Sequence, residues 1–325
     1  MAFSGTISVT TFNALKVVDH AFRLCRLPAQ AITAEMHSYA LDSLSFMLSD
    51  LANIRTPSWC IERQIYPFYE GQYQVNLDLG TVSVLNANLR TLGSAGGTVS
   101  SNTTTLYQVT SPAVVNTVGV KWTAAAVTLT FQTSADAITW TTVGSQTTAA
   151  VSGSWTWTDI VPALAANYFR ITSIAARVNS EIYLGTSPSE TPMVMLNRDQ
   201  FVDQNNKVFQ GRPLTYWFQR NIPRPVINLW PAPNAAAEHQ QLIIWRHRQI
   251  MDTTNLQQEV EVPQRWLQAI IDGLASKVAI ETPQVDMNIM QILVQRAMMS
   301  AQRAWDGDND GSPIQINPGI SVYTK

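Results

Sequence analysis

The middle of the chain differs in composition from both of its ends. Residues 96–185 are crowded with Thr and Ser and hold only six charged residues, whereas helical hydrophobic patterns occur before and after this stretch. Short segments of strand-like alternation, separated by Gly, Asn, Asp and Pro turns, are typical of a small β-sandwich. They lie at 117–122, 127–132, 139–143 and 168–174. The chain is therefore predicted to combine helices at its two ends with β structure between them.

Four amphipathic helices are predicted, two before and two after the β-rich zone. The first lies within 10–27, and the second follows a candidate cap at Thr33 and runs to Leu51, both with apolar residues at three- and four-residue steps. The last two begin near Pro263 and Pro283. Helices of similar length bury their apolar stripes most economically against one another, so we predict a four-helix bundle.

The boundaries of the β-rich zone carry the residues of flexible joints. Gly, Ser and Pro are concentrated at 93–97 and 185–188, as at the ends of an inserted domain. A hairpin is predicted to turn near Glu70 and Gly71, and further strands are predicted at 214–220, 226–230 and 242–247. The predicted fold class is α+β, with a bundle of two N-terminal and two C-terminal helices, a small β-sheet region and an inserted β-sandwich. Its predicted domains are a core of 1–90 and 188–306, the sandwich 91–187, and an extended tail 307–325.

Charge and cysteine content exclude several classes of protein. The chain has 21 basic and 23 acidic residues, a net charge of -2, which does not suit a nucleic-acid coat or an anionic-membrane binder. Cys25 and Cys60 cannot form a disulfide framework or a four-ligand zinc site, and they favour a reducing cytosol as the place of synthesis. The N-terminus does not resemble a secretory signal, and no membrane span is expected.

The search for catalytic or metal-binding motifs favours none. Residues 306–311 match the opening of a calcium loop, but the twelfth position is Asn317 where a bidentate Glu is needed, so a polar turn after a helix is favoured. His239 and His247 are eight residues apart, without further ligands at metal-site spacing. Glu259 and Glu261 share one face of an extended segment, where a solvated edge is favoured over an acid–base pair. We therefore predict no enzyme activity, no cofactor and no metal site.

Two aromatic or basic clusters have alternative interpretations. Residues 245–248 (WRHR) are either a nucleic-acid patch or part of a half-buried sheet. Four tryptophans of the β-rich zone either form a sugar-stacking platform or lie in the sandwich core, and the core is favoured. These tryptophans are Trp122, Trp140, Trp155 and Trp157.

The outer zones resemble a known family through four phrases in a fixed order. Residues 70–77 (EGQYQVNL) are similar to a Gly-Gln-x-x-Tyr-x-Leu-Pro strand, although Tyr73 lies closer to the glycine and the ending differs. Residues 210–216 (QGRPLTY), 228–233 (NLWPAP) and 262–266 (VPQRW) follow in the family's order. The family that these phrases resemble is that of the head-to-tail adaptors of short-tailed bacteriophages, the tail tubular protein A type.

The middle zone resembles a different family. Residues 128–140 (TLTFQTSADAITW) are similar to the Ser-x-Asp-Gly-x-x-Trp strand and turn of discoidin-like, galactose-binding sandwiches, with Ala137 in place of the glycine. Residues 168–171 (YFRI) are similar to the aromatic-x-Arg-Ile strand of the same domains. No sugar-binding residue is transferred by this resemblance.

The adaptor resemblance implies a structural virion protein rather than an enzyme. It implies a ring of twelve copies at the head–tail junction, assembled in the host cytoplasm, which joins the portal protein to the tail nozzle protein. Genomic DNA would pass through its channel without specific binding, and no membrane would be involved. The alternative function is a carbohydrate-binding tail or surface module that acts through the β-sandwich.

The C-terminal tail is the predicted portal-docking element. Its Gly and Pro residues oppose a helix, while its apolar residues favour extended structure that gains order against a neighbouring surface. These residues are Ile314, Ile316, Ile320, Val322 and Tyr323. The alternative is that the tail folds back on its own helices.

Overall fold

A computed structural model gives the fold. It describes residues 12–54, 57–94, 98–99, 105–109, 113–122, 128–147, 154–166, 168–173, 181–237 and 240–308. The helices are α1 Ala14–Leu24, α2 Ala34–Ile54, α3 Arg198–Val202, α4 Leu267–Glu281 and α5 Met287–Gly307. The strands are β1 Ile61–Pro67, β2 Gln74–Asn76, β3 Thr81–Ser94, β4 Thr98–Val99, β5 Thr105–Val109, β6 Ala113–Trp122, β7 Thr128–Ser134, β8 Thr141–Thr147, β9 Ser154–Ala166, β10 Tyr168–Ser173, β11 Glu181–Pro192, β12 Val194–Met195, β13 Gln210–Gly211, β14 Thr215–Gln219, β15 Val226–Trp230, β16 Ala232–Pro233 and β17 Gln240–Arg248.

The described chain divides into two compact units. One contains residues up to Ile61 and from Arg248 onward, and includes the four long helices. The other, Glu62–His247, contains the sheets and the short helix α3. The predicted mixed α+β class is confirmed. Within the described ranges, no helix combines the length and apolar character that a bilayer crossing requires.

Three of the four long helices, α1, α2 and α5, begin where a local side chain caps them. The Asn13 carboxamide accepts a hydrogen bond from the Lys16 amide at the start of α1 (3.0 Å), and the Thr33 hydroxyl accepts one from Met36 at the start of α2 (3.2 Å). Thr33 is thus the cap that the sequence predicts. Helix α5 starts at Met287, four residues beyond the predicted Pro283, because the Asp286 carboxylate caps it.

One hydrophobic core is shared by α1, α2, α4 and α5. Helix α4 is the most buried of them, and its apolar residues face both α1 and α2. Gly273 permits the close approach of α2, since a Cβ at this position would lie 2.8 Å from the Met47 sulfur. Helix α5 contributes little to the core: Leu293 and Ala304 are its buried residues.

The β-rich unit contains one long sheet that serves two cores. Its strand order is β1-β17-β3-β11-β6-β9, and a five-stranded sheet has the order β4-β5-β10-β7-β8. Residues of β6, β9 and β11 share a core with β7 and β10, which makes a two-sheet sandwich in the predicted middle zone. A second core joins β3 and β17 to the four-stranded sheet β12-β14-β15-β2.

Long strands cross the places where flexible joints were predicted. Strand β3 continues to Ser94, and β11 continues through 185–188 to Pro192, paired antiparallel with β3 at both ends. The sandwich and the smaller sheet region therefore share continuous hydrogen-bonded backbone. The boundaries of the predicted insertion, 91–187, stay a prediction.

The predicted hairpin at Glu70 and Gly71 is wrong in its pairing. Both residues form a turn, with Gly71 at a φ of 74°, but β1 belongs to the six-stranded sheet, whereas β2 pairs with β15. Turn residues in a sequence predict that the chain reverses direction, but they do not predict which strand pairs with the one that follows.

Candidate functional site

The predicted portal-docking residues lie outside the described part of the chain. Ile314, Ile316, Ile320, Val322 and Tyr323 all follow Asp308, the last described residue. The structure does define the point from which the tail departs. This point is fixed at the end of α5.

Asp308 is anchored by two segments of the helical unit. Its carboxylate accepts a hydrogen bond from the Ser58 amide (2.9 Å) and forms an ion pair with Arg265. Burial alone would raise the pKa of Asp308, but the hydrogen bonds from Ser58 and the Arg265 guanidinium hold this pKa below its usual value. A cation already occupies the carboxylate, so the calcium-loop alternative for 306–311 loses one of its oxygen ligands.

The arginines of the basic cluster at 245–248 bind carboxylates of the same chain. Arg246 donates hydrogen bonds to the Glu62 carboxylate (2.8 Å) and to the Thr81 hydroxyl (2.6 Å), and its side chain is buried. Arg248 binds both carboxylate oxygens of Glu261. Both arginine side chains are largely buried and already paired with carboxylates, so the half-buried sheet is favoured over a nucleic-acid patch.

The predicted solvated edge at Glu261 is in fact an internal ion pair. Besides Arg248, the carboxylate accepts a hydrogen bond from the Met251 amide (2.9 Å). Burial opposes ionisation of Glu261, but these donors and the charge of Arg248 lower its pKa below the usual value. A carboxylate held in this state is a poor general base.

The histidines do not assemble a site within the described residues. His247 is buried, and burial lowers its pKa, while His239 lies outside the described ranges. His37 contacts the Asp19 carboxylate through Nε2 (3.1 Å) and the Thr33 carbonyl through Nδ1 (3.0 Å). Across the described ranges, no group of three or more His, Cys, Asp or Glu side chains is placed to hold a metal ion.

The cysteines are buried thiols in the helical unit. Cys25 donates a weak hydrogen bond to the Ala275 carbonyl (3.4 Å), and burial raises its pKa to about 11. Cys60 is fully buried. A thiol that stays protonated at neutral pH is a weak nucleophile.

Three sandwich tryptophans have described side chains, and two of them are buried. Trp155 and Trp157 stack on each other at 5.1 Å and are 4% and 9% exposed. Trp140 is covered by the Arg170 guanidinium, 3.9 Å from the ring centroid, and the burial of Trp122 is not described. Trp155 and Trp157 are therefore buried as predicted, but they pack in a separate cluster with Leu92 and not in the core between the two sheets of the sandwich.

The turn that resembles the discoidin-like motif is built around one carboxylate. Asp136 accepts hydrogen bonds from the Ile138 and Thr139 amides, each 2.9 Å, and these bonds with the Ser134 hydroxyl lower its pKa to about 2. Ala137 lies between Asp136 and Ile138, with a φ of 62°. This left-handed backbone is the reason that a glycine is favoured at the position.

A charge cluster connects the strands of the long sheet. The Asp159 carboxylate accepts hydrogen bonds from Arg90 (2.6 Å), Arg63 and the Thr117 hydroxyl (2.8 Å). Burial would raise the pKa of Asp159, but these donors and the Arg90 charge lower it. The sequence does not reveal this cluster, because its members come from β1, β3, β6 and β9 and are distant along the chain.

The helical unit exposes large apolar side chains on two helices. On α2 these are Tyr39, Phe46 and Ile54, and on α5 they include Ile292 and Met299. Phe46 and Ile280 line a shallow groove of about 210 Å³ between α2 and α4. Because a solvent-facing helix normally presents polar residues, such faces mark interaction surfaces. They are the strongest candidate for a functional surface in the described chain.

Comparison with known proteins gives no family for this chain. No family model matches it, and no curated protein matches. Among solved structures it is similar to a CBM32 of AlyQ in complex with 4,5-unsaturated mannuronic acid, with 14% identity and a TM-score of 0.19. That match covers 36% of this chain and 98% of the other.

Two further structures are similar at the same low level. A CBM32-1 from a family 31 glycoside hydrolase of Clostridium perfringens has 9% identity and a TM-score of 0.20, covering 42% of this chain and 96% of the other. A rhamnosidase from Novosphingobium sp. PP1Y has 12% identity and a TM-score of 0.20, covering 74% of this chain and 27% of that enzyme. These TM-scores are too low to carry an argument about function, and the adaptor resemblance stays a prediction.

Proposed function

We propose that this protein is a structural virion component, a head-to-tail adaptor that joins the portal protein to the tail nozzle protein. One observation carries the proposal: the long helices expose large apolar side chains on α2 and α5, as a subunit that becomes covered by neighbours would. The proposal is supported by the low share of charged residues, 14%, since buried subunit surfaces need few charges.

In this proposal the four long helices form the bundle of the adaptor core. Twelve copies form a ring whose channel passes DNA. A channel through which DNA slides should not hold phosphates tightly, which agrees with the use of Arg246 and Arg248 in internal ion pairs. The protein acts as a scaffold at the head–tail junction, without catalysis.

The tail acts as the portal-docking element in this proposal. Asp308 fixes its point of departure, and Ile314 and Ile316 supply apolar contacts to the portal. Each single contact is weak, because the entropy lost when the tail becomes ordered offsets most of the free energy gained by burying its apolar side chains. Repetition of the contact around a ring makes docking strong through avidity. Free protein at micromolar concentration is accordingly expected to be largely monomeric.

The test mixes the purified protein with portal and images the mixture by electron cryomicroscopy. Rings on portals support the adaptor function. A variant truncated after Asp308 keeps the anchored end of α5 and should melt normally while losing portal binding. Ile314→Ser/Ile316→Ser is the matched full-length control for the loss of tail contacts. Normal portal binding by both variants would exclude the tail as the docking element.

The same preparation distinguishes the carbohydrate-binding alternative. Unchanged portals together with retention on a glycan array would replace the adaptor function by the carbohydrate-binding one. The burial of Trp155 and Trp157 does not favour that outcome, because sugar stacking needs an exposed aromatic face.

A further inference from the structure

The exposed faces of α2 and α5 have matching patterns of apolar and charged residues. On α2 the outer face presents Tyr39, Asp42, Phe46 and Asp50, at steps of three and four residues. On α5 it presents Ile292, Arg296, Met299 and Arg303, at steps of four and three. Each set spans twelve residues, or about 16 Å of helix between its first and last member.

The charges of the two faces are opposite. Helix α2 carries acidic residues and no Lys or Arg, whereas the outer face of α5 carries two arginines. Asp42, Asp50 and Arg303 are exposed and form no ion pair with another described residue. Arg296 is half-exposed and binds the buried Asp272 of α4 at 3.0 Å, so its charge is partly neutralised within the molecule.

The two faces cannot satisfy each other within one molecule, because α2 and α5 lie against different sides of α4. Met47 of α2 packs over Gly273, while Arg296 and Trp305 of α5 contact Asp272 and Trp266. Two complementary surfaces on different sides of one subunit are suited to a heterologous contact, in which each copy offers one face to each of two neighbours.

We propose that a second copy of this chain seats its α5 face on the α2 face of the first. Met299 packs against Phe46, and Arg296 and Arg303 flank Asp42 and Asp50. This pairing holds for parallel and for antiparallel helices, since Phe46 and Met299 both lie between the two charged positions of their face. The proposal rests on the adaptor function and names the lateral contact of its ring.

The experiment measures self-association of the full-length protein by analytical ultracentrifugation over a concentration series, in low and in physiological salt. The wild type should associate weakly and less at higher salt. Asp42→Lys/Asp50→Lys reverses the α2 face, and Arg303→Glu reverses the free charge of the α5 face. Each variant alone should associate at least about tenfold more weakly, because like charges then face each other.

Mixing the two variants provides the decisive measurement. In an alternating assembly the introduced glutamate faces an introduced lysine, and the native Arg303 faces a native aspartate. Arg296 is unchanged and partly neutralised by Asp272, so an equimolar mixture should recover most of the association. The triple variant Asp42→Lys/Asp50→Lys/Arg303→Glu should recover it as well. Glu70→Lys/Asp252→Lys changes two exposed carboxylates elsewhere by the same total charge and should behave as the wild type. Thermal melting of all variants should be unchanged, because the substituted groups are exposed.

A cross-link identifies the contact independently. Phe46→Cys and Met299→Cys on separate molecules should be joined by a short bifunctional thiol reagent, since the native Cys25 and Cys60 are buried. Absence of both the mixing recovery and the cross-link would overturn the interface. Portal-bound rings that form equally well with each reversed variant would overturn the interface and leave the adaptor function standing. Recovery on mixing without any portal binding would support the interface and remove the adaptor function.

Discussion

Replacing Gly119 by alanine tests whether the aromatic cluster of the sandwich is fixed. Gly119 of β6 lies directly opposite Trp157 of β9, and the indole ring covers the glycine. A Cβ at this position would lie 2.3 Å from the ring carbon Cζ3, whereas ordinary contact begins near 3.4 Å. The ring would therefore have to withdraw by about 1.1 Å. Trp155 stacks on one side of it and Tyr183 contacts it edge-on at 6.0 Å.

The expected cost follows from overpacking. Forcing one extra methyl group into a packed core costs about 1–3 kcal/mol, while alanine recovers about 0.5–1 kcal/mol of backbone entropy relative to glycine. We expect Gly119→Ala to lower the free energy of unfolding by about 1–2 kcal/mol. Gly144→Ala is the matched control, because Gly144 faces Phe131 across β7 and β8 and its Cβ would lie at an acceptable 3.6 Å.

The assay is urea unfolding followed by tryptophan fluorescence and circular dichroism, with the aromatic near-ultraviolet signal as a second probe of Trp157. Gly144→Ala should be neutral or slightly stabilising. If Gly119→Ala is as stable as Gly144→Ala and keeps the near-ultraviolet signal, the reasoning is refuted. The space between Gly119 and Trp157 would then be large enough to accept a methyl group, and the ring would not be held by close packing.

Three further substitutions test single contacts by the same unfolding assay. Ala137→Gly should stabilise the protein by about 1 kcal/mol, because glycine adopts the left-handed backbone of this position without strain. Ala135→Gly, two residues away, is the control and should not stabilise it. A loss of stability in Ala137→Gly would contradict the strain argument. Asp159→Asn should cost about 2–4 kcal/mol at neutral pH, because Arg90 is left buried without its main partner. Because the pKa of Asp159 is lowered in the folded state, its contribution to stability is present above the unfolded pKa and is lost as the pH falls through the folded pKa. The free energies of unfolding of mutant and wild type should therefore converge in acid. A difference in stability that does not change with pH would exclude the charge of Asp159 as the cause. Asp308→Asn should cost about 1–2 kcal/mol through the loss of its charge-assisted hydrogen bonds, whereas the exposed Asp306→Asn should have little effect, and equal effects would show that the anchor is not specific.

Local patterns in the sequence predict the helices well. The apolar spacing that follows Thr33 and the hydroxyl of Thr33 itself both lie within one helix, so α2 and its cap are predictable from neighbouring residues. The same holds for the strands of the middle zone, where alternation and turn residues act over a few positions. Helix α5 shows the limit of such predictions: it starts at Met287, after the Asp286 cap, and not at Pro283, because a nearby carboxylate can cap the helix one turn later.

Strand pairings and ion pairs between residues that are distant along the chain are determined by the tertiary structure alone. The sequence shows that Glu70 and Gly71 form a turn, but the pairing of β2 with β15 depends on which edge the folded sheet leaves open. Likewise, the composition of 245–248 is compatible with a nucleic-acid patch, and only the fold brings Glu62 to Arg246. An ion pair between distant strands leaves no periodic signal, since its energy depends on burial and distance rather than on spacing along the chain. For the same reason, the sequence determines that α2 is acidic, and only the packing of both helices on α4 determines that its charged face stays exposed.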